Sequence, residues 1–394
     1  MGAYLGTFIL RLMVLGLVLG LLACGGESSP TATPIPEPVE IVTLPPLPAG
    51  MPAESQVTPF APLPVQPASA AMVALGKYLF FDQSLSGDRD SSCATCHMPD
   101  KAWADGRMLS LGYPGNLHFR NTPTLLNAAY QSLFYWDGRL GDDLPTVVRD
   151  HLAEAHMMSV DGRLVIERMK QKPQMVELFQ EAFGGEPTYG RVLNAVAAYV
   201  FTLVSPPSPY DRYLAGDGSA LSTEAQLGLQ IFEGKGGCAA CHSGPLLADG
   251  EYHNLGVPTN PEIFQDPLRH IVFRRFFRTL GVPNYRNLRE DPGLYALTEM
   301  DDDWGKFRTA SLREVDRTPP YMHNGILETL EDVVEFYNQG GGDDPNKDSL
   351  LAPLGLTEQE KAALVAFLVS LSSEPVAVQV PEEVISQITI LGDN

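Results

Sequence analysis

Two C-x-x-C-H motifs constrain this chain more than any other feature of its sequence. Residues 93–97 read CATCH, and residues 238–242 read CAACH. The flanking segments also match, because both copies run L-G-x-x-[LI]-F before the motif and have an Asp-Gly pair shortly after it. A repeated unit of this kind predicts two copies of one structural module.

The motif has three known uses: a redox dithiol, half of a zinc site, and an attachment point for haem c. Zinc sites usually take four ligands from two paired sets close in sequence, but here two identical sets lie far apart and each ends in His. A thioredoxin-type dithiol needs a surrounding β-α-β pattern, which this sequence lacks. Haem fits, because two thiols one helical turn apart can join its two vinyl groups and the adjacent imidazole can reach the iron.

We therefore predict two covalent haem c groups, one for each module. The first haem would be attached through Cys93 and Cys96, with His97 bound to its iron. The second would be attached through Cys238 and Cys241, with His242 bound to its iron. These six residues are called the haem ligands below. This use takes up all four motif cysteines, so none is left for a structural disulfide.

The fifth cysteine, Cys24, ends the apolar run LMVLGLVLGLLAC near the N-terminus. The run resembles a secretory signal that closes in a lipobox, which predicts a lipoprotein-type signal peptide over residues 1–24 and a lipid anchor at Cys24. The alternative is an uncleaved membrane anchor. Residues 25–70 are so rich in proline that we expect a disordered linker. The chain is thus expected to be exported, periplasmic or at the cell surface, and tethered to a membrane.

Apolar residues at helical spacing precede both motifs, as in residues 72–79 of the first copy. In the second copy, Ser222 is the expected N-cap, with Gln226 completing a capping box. Each copy also ends in an apolar helix, near 192–206 and 357–375. A helix therefore leads into each motif, and a second helix is expected to pack back on it.

The fold class is therefore mainly α, with two cytochrome c-like domains, each built round one covalent haem, and with long loops. The domains are expected to cover residues 71–207 and 208–375, followed by a C-terminal tail over 376–394. We place the boundary in the Pro- and Gly-rich segment 205–220, which is typical of a linker. Only the tail shows part of the alternation of apolar and polar residues that is typical of a β-strand.

The formal net charge of -21 and the pI near 4.7 exclude nucleic acid as an expected partner, because an acidic surface repels phosphate backbones. A basic protein partner agrees with this charge. The segment 261–293 differs from the rest of the chain because it carries six arginines. We expect a solvated surface loop there, and a basic face for haem propionates or for an acidic partner is the alternative.

Beyond the motifs, several strings resemble the bacterial dihaem cytochrome c peroxidase and MauG family. They are LGKYLFFDQSLS, SCATCHMPDKAWADG, RNTPTLLNAAYQSLFYWDGR, DGEYHNLGV, TPPYMHNGILETLEDVVEFYNQGG and LTEQEKAALVAFLVSL, in this order over about residues 71–372. The resemblance implies that hydrogen peroxide reacts at an N-terminal haem, that a C-terminal haem receives electrons, and that a calcium ion is bound between them.

The resemblance also assigns residues outside the motifs. Trp136 matches the family's tryptophan between the haems and is a candidate electron conduit; a buried core side chain is the alternative. Asn121, with the backbones of Thr318 and Pro320, matches the calcium positions, and hard oxygen donors suit Ca²⁺. Turn capping is the alternative for Asn121 and Thr318.

The sixth ligand of the second haem separates the two branches of the family. A helix opened near Thr329 is expected to point Tyr337 inward. In the peroxidases a Met occupies the matching position, whereas MauG-like members have a Tyr, and a phenolate lowers the reduction potential. Tyr337 is therefore the predicted ligand. The alternative is an ordinary core tyrosine, with Met322 or Met300 bound to the iron.

A peroxidatic haem needs an open sixth site and an acid–base group above it. Family members use a distal Glu and an upstream Gln after the WDGR string; here the Gln is absent and the Glu falls close to Glu154 or His156, either of which can move a proton. No His stands near Tyr113, where Met-ligated peroxidases carry a blocking His. His118 could substitute, but an open first haem is expected. Four further histidines, His151, His253, His270 and His323, are given no catalytic role.

These features predict a dihaem c-type peroxidase that reduces hydrogen peroxide to water. The electrons would come through the second haem from a small redox protein, either a c-type cytochrome or a copper protein. One alternative is MauG-like oxidation of aromatic residues on a partner protein; another is a non-enzymatic dihaem electron carrier. A homodimer is compatible with the sequence.

Overall fold

Helices form almost all of the regular structure around the two motifs in the computed structural model of the chain. The structure describes residues 68–112 and 117–381. The predicted signal peptide with its lipobox Cys24, nearly all of the Pro-rich linker, Tyr113 and residues 382–394 lie outside the described residues. Within the described ranges the prediction of a mainly α class is confirmed.

The helices are named in chain order. They are α1 (Ala70–Phe81), α2 (Cys93–Cys96), α3 (Leu144–Ala153), α4 (Gly162–Lys170), α5 (Pro173–Phe183), α6 (Tyr189–Val200), α7 (Pro209–Leu214), α8 (Thr223–Glu233), α9 (Glu262–Gln265), α10 (Pro267–Thr279), α11 (Tyr295–Thr298), α12 (Leu330–Asn338) and α13 (Glu358–Val369). Two short strands, β1 (Tyr252–His253) and β2 (Phe307–Arg308), pair antiparallel. Of the helices in the described ranges, none has the length and apolar character that crossing a bilayer would require.

The first motif lies beside a core built mainly from α1 and α3 to α6. Helix α1 begins after Ser69, whose side chain accepts from the backbone N–H of Met72. It crosses α6 at Gly76, where an added methyl group would collide with the backbone carbonyl oxygen of Ala195. Cys93 packs against the same core, so the helix pair supports the start of the motif.

The second half repeats this packing with α8 and α13. These helices cross at Gly228, where a methyl group would collide with the carbonyl oxygen of Ala363 and with the side chain of Phe367. Gly76 and Gly228 are the same glycine of the L-G-x-x-[LI]-F string. The sequence duplication is therefore also a duplication of helix packing.

The start of α8 corrects one predicted detail. Ser222 is the N-cap, as predicted, and accepts from the N–H of Ala225 over 3.1 Å. Gln226 does not complete a capping box, because it lies one residue beyond the position that can reach back to the cap. Its side-chain amide donates instead to the carbonyl oxygens of Gly218 and Leu221.

The segment 205–220 is more ordered than a linker. It contains α7, and Tyr210 is fully buried in the second core, with its ring edge-on to Phe367 at a centroid distance of 5.2 Å. Asp211 pairs with Arg313 at 2.9 Å. The domain boundary after residue 207 stays a prediction, but the expectation of a plain linker around it is wrong.

The Arg-rich segment 261–293 is also not the solvated loop that we expected. It forms α9 and α10, and one face of α10 carries Phe273, Phe276 and Phe277, all buried. This face packs on Phe119 from the first half. The aromatic spacing of i, i+3 and i+4 outweighs the arginines, which lie mostly on the other faces of the helix.

The described part of the C-terminal tail, up to residue 381, forms no β-strand. Val378 and Val380 pack instead against the first core. The alternation of apolar residues there reflects contact with helices rather than pairing in a sheet.

Candidate active site

Each C-x-x-C-H motif faces its own cavity. The first cavity encloses about 180 Å³ and is lined by the two cysteines and the histidine of CATCH, with apolar side chains from α1, α3 and α6. The second encloses about 560 Å³ and is lined by the corresponding residues of CAACH, with side chains from α8, α12 and α13. The six predicted haem ligands are thus sorted by the fold into two sites.

Both motif histidines are held so that one ring nitrogen faces away from the cavity. His97 Nδ1 lies 3.0 Å from the carbonyl oxygen of Trp103, and His242 Nδ1 lies 2.9 Å from that of Leu247. A carbonyl oxygen can only accept, so Nδ1 carries the proton and Nε2 keeps its lone pair for a metal ion. Burial lowers the pKa of His97 to about 4 and also lowers the pKa of His242, which keeps both rings neutral.

The four motif thiols are not suited to dithiol redox chemistry. Burial raises the pKa of Cys93 to about 12, of Cys96 to about 11 and of Cys238 to about 12, and it also raises the pKa of Cys241. A reactive dithiol needs a lowered pKa, because the thiolate is the nucleophile. All four are unpaired. Two thiols, one free imidazole nitrogen and apolar walls in each cavity fit haem c.

The structure places the two candidate distal residues differently. His156 lines the first cavity, whereas Glu154 is not part of its wall and leaves 36% of its side chain exposed. Glu154 Oε2 lies 3.6 Å from His156 Nδ1. Burial lowers the pKa of His156 to about 4 and raises the pKa of Glu154. The imidazole is therefore neutral and faces the cavity, with the carboxyl group behind it.

His118 lies beside His156 in the same cavity wall, at a ring-centroid distance of 5.4 Å. Its Nδ1 accepts from the backbone N–H of Arg120 over 3.1 Å. The Nε2 atoms of both His118 and His156 are buried, and neither has a hydrogen-bond partner among the described residues. Buried polar atoms are normally paired, so these two nitrogens make the wall a candidate site for a polar ligand.

A third histidine, His151, was missed by the sequence reasoning. It lines the first cavity from α3, and its ring centroid lies 6.4 Å from that of His97. The signal that would have found it is helical spacing, since His151 follows Val147 and Val148 by four and three residues and all three line the cavity.

Tyr337 projects from α12 into the second cavity. The helix starts after Thr329, which caps it, and Gly340 in the left-handed region follows its end. Burial and the nearby motif thiols raise the pKa of Tyr337. Of the alternative ligands, Met322 lines the same cavity, but Met300 is 57% exposed and lies outside its wall.

Trp136 lies between the two sites, because it lines both cavities. Its indole Nε1 donates to the carbonyl oxygen of Asn121 over 2.9 Å, and its own carbonyl oxygen accepts from the N–H of Arg308. Asn121 and Arg308 also line both cavities. The wall that separates the two sites is therefore one hydrogen-bonded unit.

The three predicted calcium ligands, Asn121, Thr318 and Pro320, all belong to the wall of the second cavity. The Asn121 side-chain nitrogen donates to the carbonyl oxygen of Arg107 over 2.8 Å, which leaves its side-chain oxygen for another partner. An amide oxygen and two backbone carbonyls are donors that fit Ca²⁺.

A buried arginine joins the first site to α10 and the segment that follows it. Arg120 donates to Asp291 from Nε at 2.6 Å and from Nη2 at 2.9 Å, and to Asp137 from Nη1 at 2.6 Å. Arg120 and both carboxylates are buried. Since Arg120 also holds His118 through its backbone N–H, this network fixes the position of the histidine wall.

Comparison with known proteins identifies the family of this chain. The model of the di-haem cytochrome c peroxidase family matches residues 70–219. A protein named cytochrome-c peroxidase IdrP2, from Denitromonas iodatirespirans, is 52% identical over 84% of this chain and 88% of its own length. The methylamine utilization protein MauG of Methylorubrum extorquens is 36% identical over 80% of this chain and 82% of its own length.

Among solved structures, the crystal structure of a MauG-like protein associated with microbial copper homeostasis is similar to this one. It has a TM-score of 0.68 and 28% sequence identity, and the match covers 83% of this chain and 95% of that protein.

Proposed function

Because this chain belongs to the di-haem cytochrome c peroxidase family, we propose that it binds one covalent haem c in each cavity and reduces hydrogen peroxide to water at the first. The predicted class, a cytochrome-c peroxidase-like oxidoreductase, is confirmed by the named relatives. The observation that carries the two-haem proposal is the pair of cavities, each with two buried thiols and one neutral imidazole.

The reaction consumes one peroxide, two protons and two electrons and yields two waters. When bound, the haem irons supply the redox chemistry, and the chain provides their ligands, the proton transfer and the electron route. Cys93, Cys96 and His97 hold the haem at which peroxide reacts. The CAACH motif in the second cavity holds the haem that accepts electrons.

His156 moves the proton between the two peroxide oxygens. Its Nδ1 lies 3.6 Å from Glu154 Oε2, and a nearby carboxylate acceptor favours the tautomer with the proton on Nδ1, in which Nε2 is free to act as the base. His118 is the complementary group, because its Nδ1 accepts from a backbone N–H and its proton must therefore be on Nε2. The wall thus presents one acceptor and one donor to a bound peroxide.

Trp136 carries electrons between the two sites. With a haem in each cavity, an indole in the wall that the cavities share would shorten the electron path, and its hydrogen bond to the Asn121 carbonyl fixes the ring. The same wall includes the side chain of Asn121, which with the carbonyls of Thr318 and Pro320 binds calcium between the haems.

Tyr337 is the sixth ligand of the second haem. Its place in the cavity wall and the exposure of Met300 favour this assignment, which leaves Met322 as the alternative. A phenolate ligand lowers the reduction potential and favours higher oxidation states of iron. The place of Tyr337 in the wall of the second cavity therefore supports a second candidate function, MauG-like oxidation of aromatic residues on a partner protein.

The place of action follows from the N-terminal segment. We propose that the chain is exported and held at a membrane by a lipid on Cys24, with residues 25–70 as spacer. Residues 71–207 and 208–375 then form the two haem domains, with residues 376–394 as a tail. The acidic charge of the chain favours a donor with a basic face, either a small c-type cytochrome or a copper protein.

Turnover with a reduced c-type cytochrome tests the proposal. The holoprotein should oxidise two cytochromes for each hydrogen peroxide consumed, and His156→Ala should lower the rate by about a hundredfold. Glu154→Gln is the matched variant and should cost less, because Glu154 is outside the cavity wall. Slow cytochrome oxidation together with oxidation of a partner's aromatic residues would favour the MauG-like candidate, and no reaction with peroxide would contradict both.

A further inference from the structure

We infer that His151 is the sixth ligand of the first haem iron, opposite His97. The inference rests on the proposed function, because it requires haem c at the first motif. It replaces the open sixth site that the sequence led us to expect with a closed one, and the closing residue belongs to helix α3 rather than to a loop.

The distance between the two rings carries the inference. Their centroids lie 6.4 Å apart, and the ring planes make an angle of 55°. Two imidazoles that bind one metal ion through nitrogens at ~2 Å have ring centroids ~6 Å apart. The observed gap therefore suits one iron atom, and it leaves no room for a peroxide beside that atom.

The tautomer of His151 agrees with metal binding. Its Nδ1 lies 3.0 Å from the carbonyl oxygen of Val147, one turn earlier in α3, and 2.8 Å from the Tyr135 hydroxyl. The Tyr135 hydroxyl donates to Asp150, so its oxygen is free to accept from His151. Both neighbours of Nδ1 are thus acceptors, which places the proton on Nδ1 and leaves the lone pair on Nε2.

The ring of His151 is also fixed in place. It stacks on Tyr135 with a centroid distance of 5.2 Å and an interplanar angle of 11°. Arg139 lies on the Tyr135 ring, 3.3 Å from its centroid, and forms an ion pair with Asp150 at 3.6 Å. A ligand oriented by neighbours in this way binds its metal without first losing rotamer freedom.

The other two histidines of the cavity are poorer candidates. The Nε2 atom of His118 carries the proton, because its Nδ1 accepts from the Arg120 backbone, so the neutral ring offers no lone pair to the cavity. The ring of His156 lies against those of His118 and Phe276, at centroid distances of 5.4 Å and 5.7 Å. These two residues form the wall beside the axial position, where peroxide would bind after His151 has left.

With haem bound, peroxide would reach the iron only after His151 Nε2 has left it. Val147 and Tyr135 contact Nδ1 of His151, and Asp150 accepts from the Tyr135 hydroxyl, so these three residues hold the ring in the position where it would bind iron. The closed state is therefore the resting state of the ferric protein, and reaction with peroxide follows the opening of this bond.

The spin state of the ferric holoprotein tests the inference without any use of peroxide. Electron paramagnetic resonance should show a low-spin first haem in the wild type, and His151→Ala should convert one of the two haems in each chain to high spin. Imidazole added to His151→Gly should restore the low-spin signal. His156→Ala and His118→Ala, which alter the same cavity, are the matched controls and should keep the wild-type spin state.

A high-spin first haem in the wild type would overturn the inference, as would a His151→Ala spectrum identical to that of the wild type. His151→Gln keeps a polar side chain at this place in α3 and serves as a second variant if the alanine variant does not fold. A protein that holds both haems and reduces peroxide but has a high-spin first haem would contradict this inference alone. A protein without haem would contradict the proposed function.

Discussion

Trp136 donates from its indole Nε1 to the backbone carbonyl oxygen of Asn121 over 2.9 Å, and both residues line both cavities. The residue proposed to carry electrons is thus bonded to the residue proposed to hold calcium. Calcium binding and electron transfer are therefore expected to depend on one another at this wall.

Replacement of Trp136 tests the electron route. Trp136→Phe keeps an aromatic ring but removes the indole and its hydrogen bond, which should slow electron transfer between the haems by at least about tenfold and cost about 1 kcal/mol of stability. Stopped-flow reduction from the second haem to the first measures the rate. Trp304→Phe is the control, because Trp304 lines the second cavity only. An unchanged rate in Trp136→Phe would exclude the indole as the conduit.

Replacement of Tyr337 tests the ligand of the second haem. Tyr337→Met should raise the potential of one haem by roughly 0.1 V or more, because a thioether favours ferrous iron more than a phenolate does. Spectroelectrochemical titration gives both potentials. Tyr321→Phe removes a hydroxyl from the same cavity wall and should leave them unchanged. If Tyr337→Met leaves both potentials in place, Tyr337 is not the ligand.

The two helix crossings should respond alike to the same substitution. Gly76→Ala and Gly228→Ala should each lower the free energy of unfolding by about 1–3 kcal/mol, because the added methyl group meets a backbone carbonyl in both places. Gly190→Ala in α6 meets nothing within 4 Å and should be neutral or slightly stabilising. Denaturant unfolding of the three variants measures this. A strong effect at only one crossing would mean that the two halves do not pack alike.

His253 gives stability a pH dependence. Burial alone would lower its pKa, but hydrogen bonds to Asp348 at 2.6 Å and Asp249 at 3.0 Å raise the pKa of His253 above its ordinary value. The contribution of the charged ring is therefore fully present below about pH 6.5 and is lost as the pH rises through the raised value. Thermal unfolding of His253→Gln should lack this fall in stability.

His270→Gln is the control for the pH experiment. Burial and two arginines lower the pKa of His270, so this residue cannot produce a loss of stability on the alkaline side. The control should therefore keep the wild-type fall above pH 6.5. If His253→Gln keeps it as well, another group is responsible.

The sequence predicted those parts of the fold that depend on local periodicity. The helix pairs before and after each motif were predicted because their apolar residues recur at helical spacing, and Gly340 ends α12 close to the predicted place. Segments whose structure depends on distant contacts were not predicted. The arginines of α10 predict a solvated loop, whereas its aromatic face packs on Phe119, a contact with a distant part of the chain. Tyr210, placed in a linker, is buried for the same reason.

In the candidate site, too, the features that depend on local sequence were predicted and those that depend on distant contacts were not. Motif spacing identified the six haem ligands as candidates, and the structure sorts them into two cavities, although haem attachment itself stays a proposal. Sequence alone leaves Glu154 and His156 as equal candidates, because the match to the family position is ambiguous by one residue and both lie close to it. It gave His151 no role, because the residue that lies opposite His97 is fixed by the crossing of helices and not by local sequence.

The number of covalent haems in each mature chain tests the central claim most directly. A pyridine haemochrome spectrum of protein made in a host that attaches haem c, read after acid–acetone extraction has removed any unbound haem, gives this number. The account predicts two haems per chain, falling to one when both cysteines of either motif are replaced by alanine. A wild-type value of one or zero would contradict it.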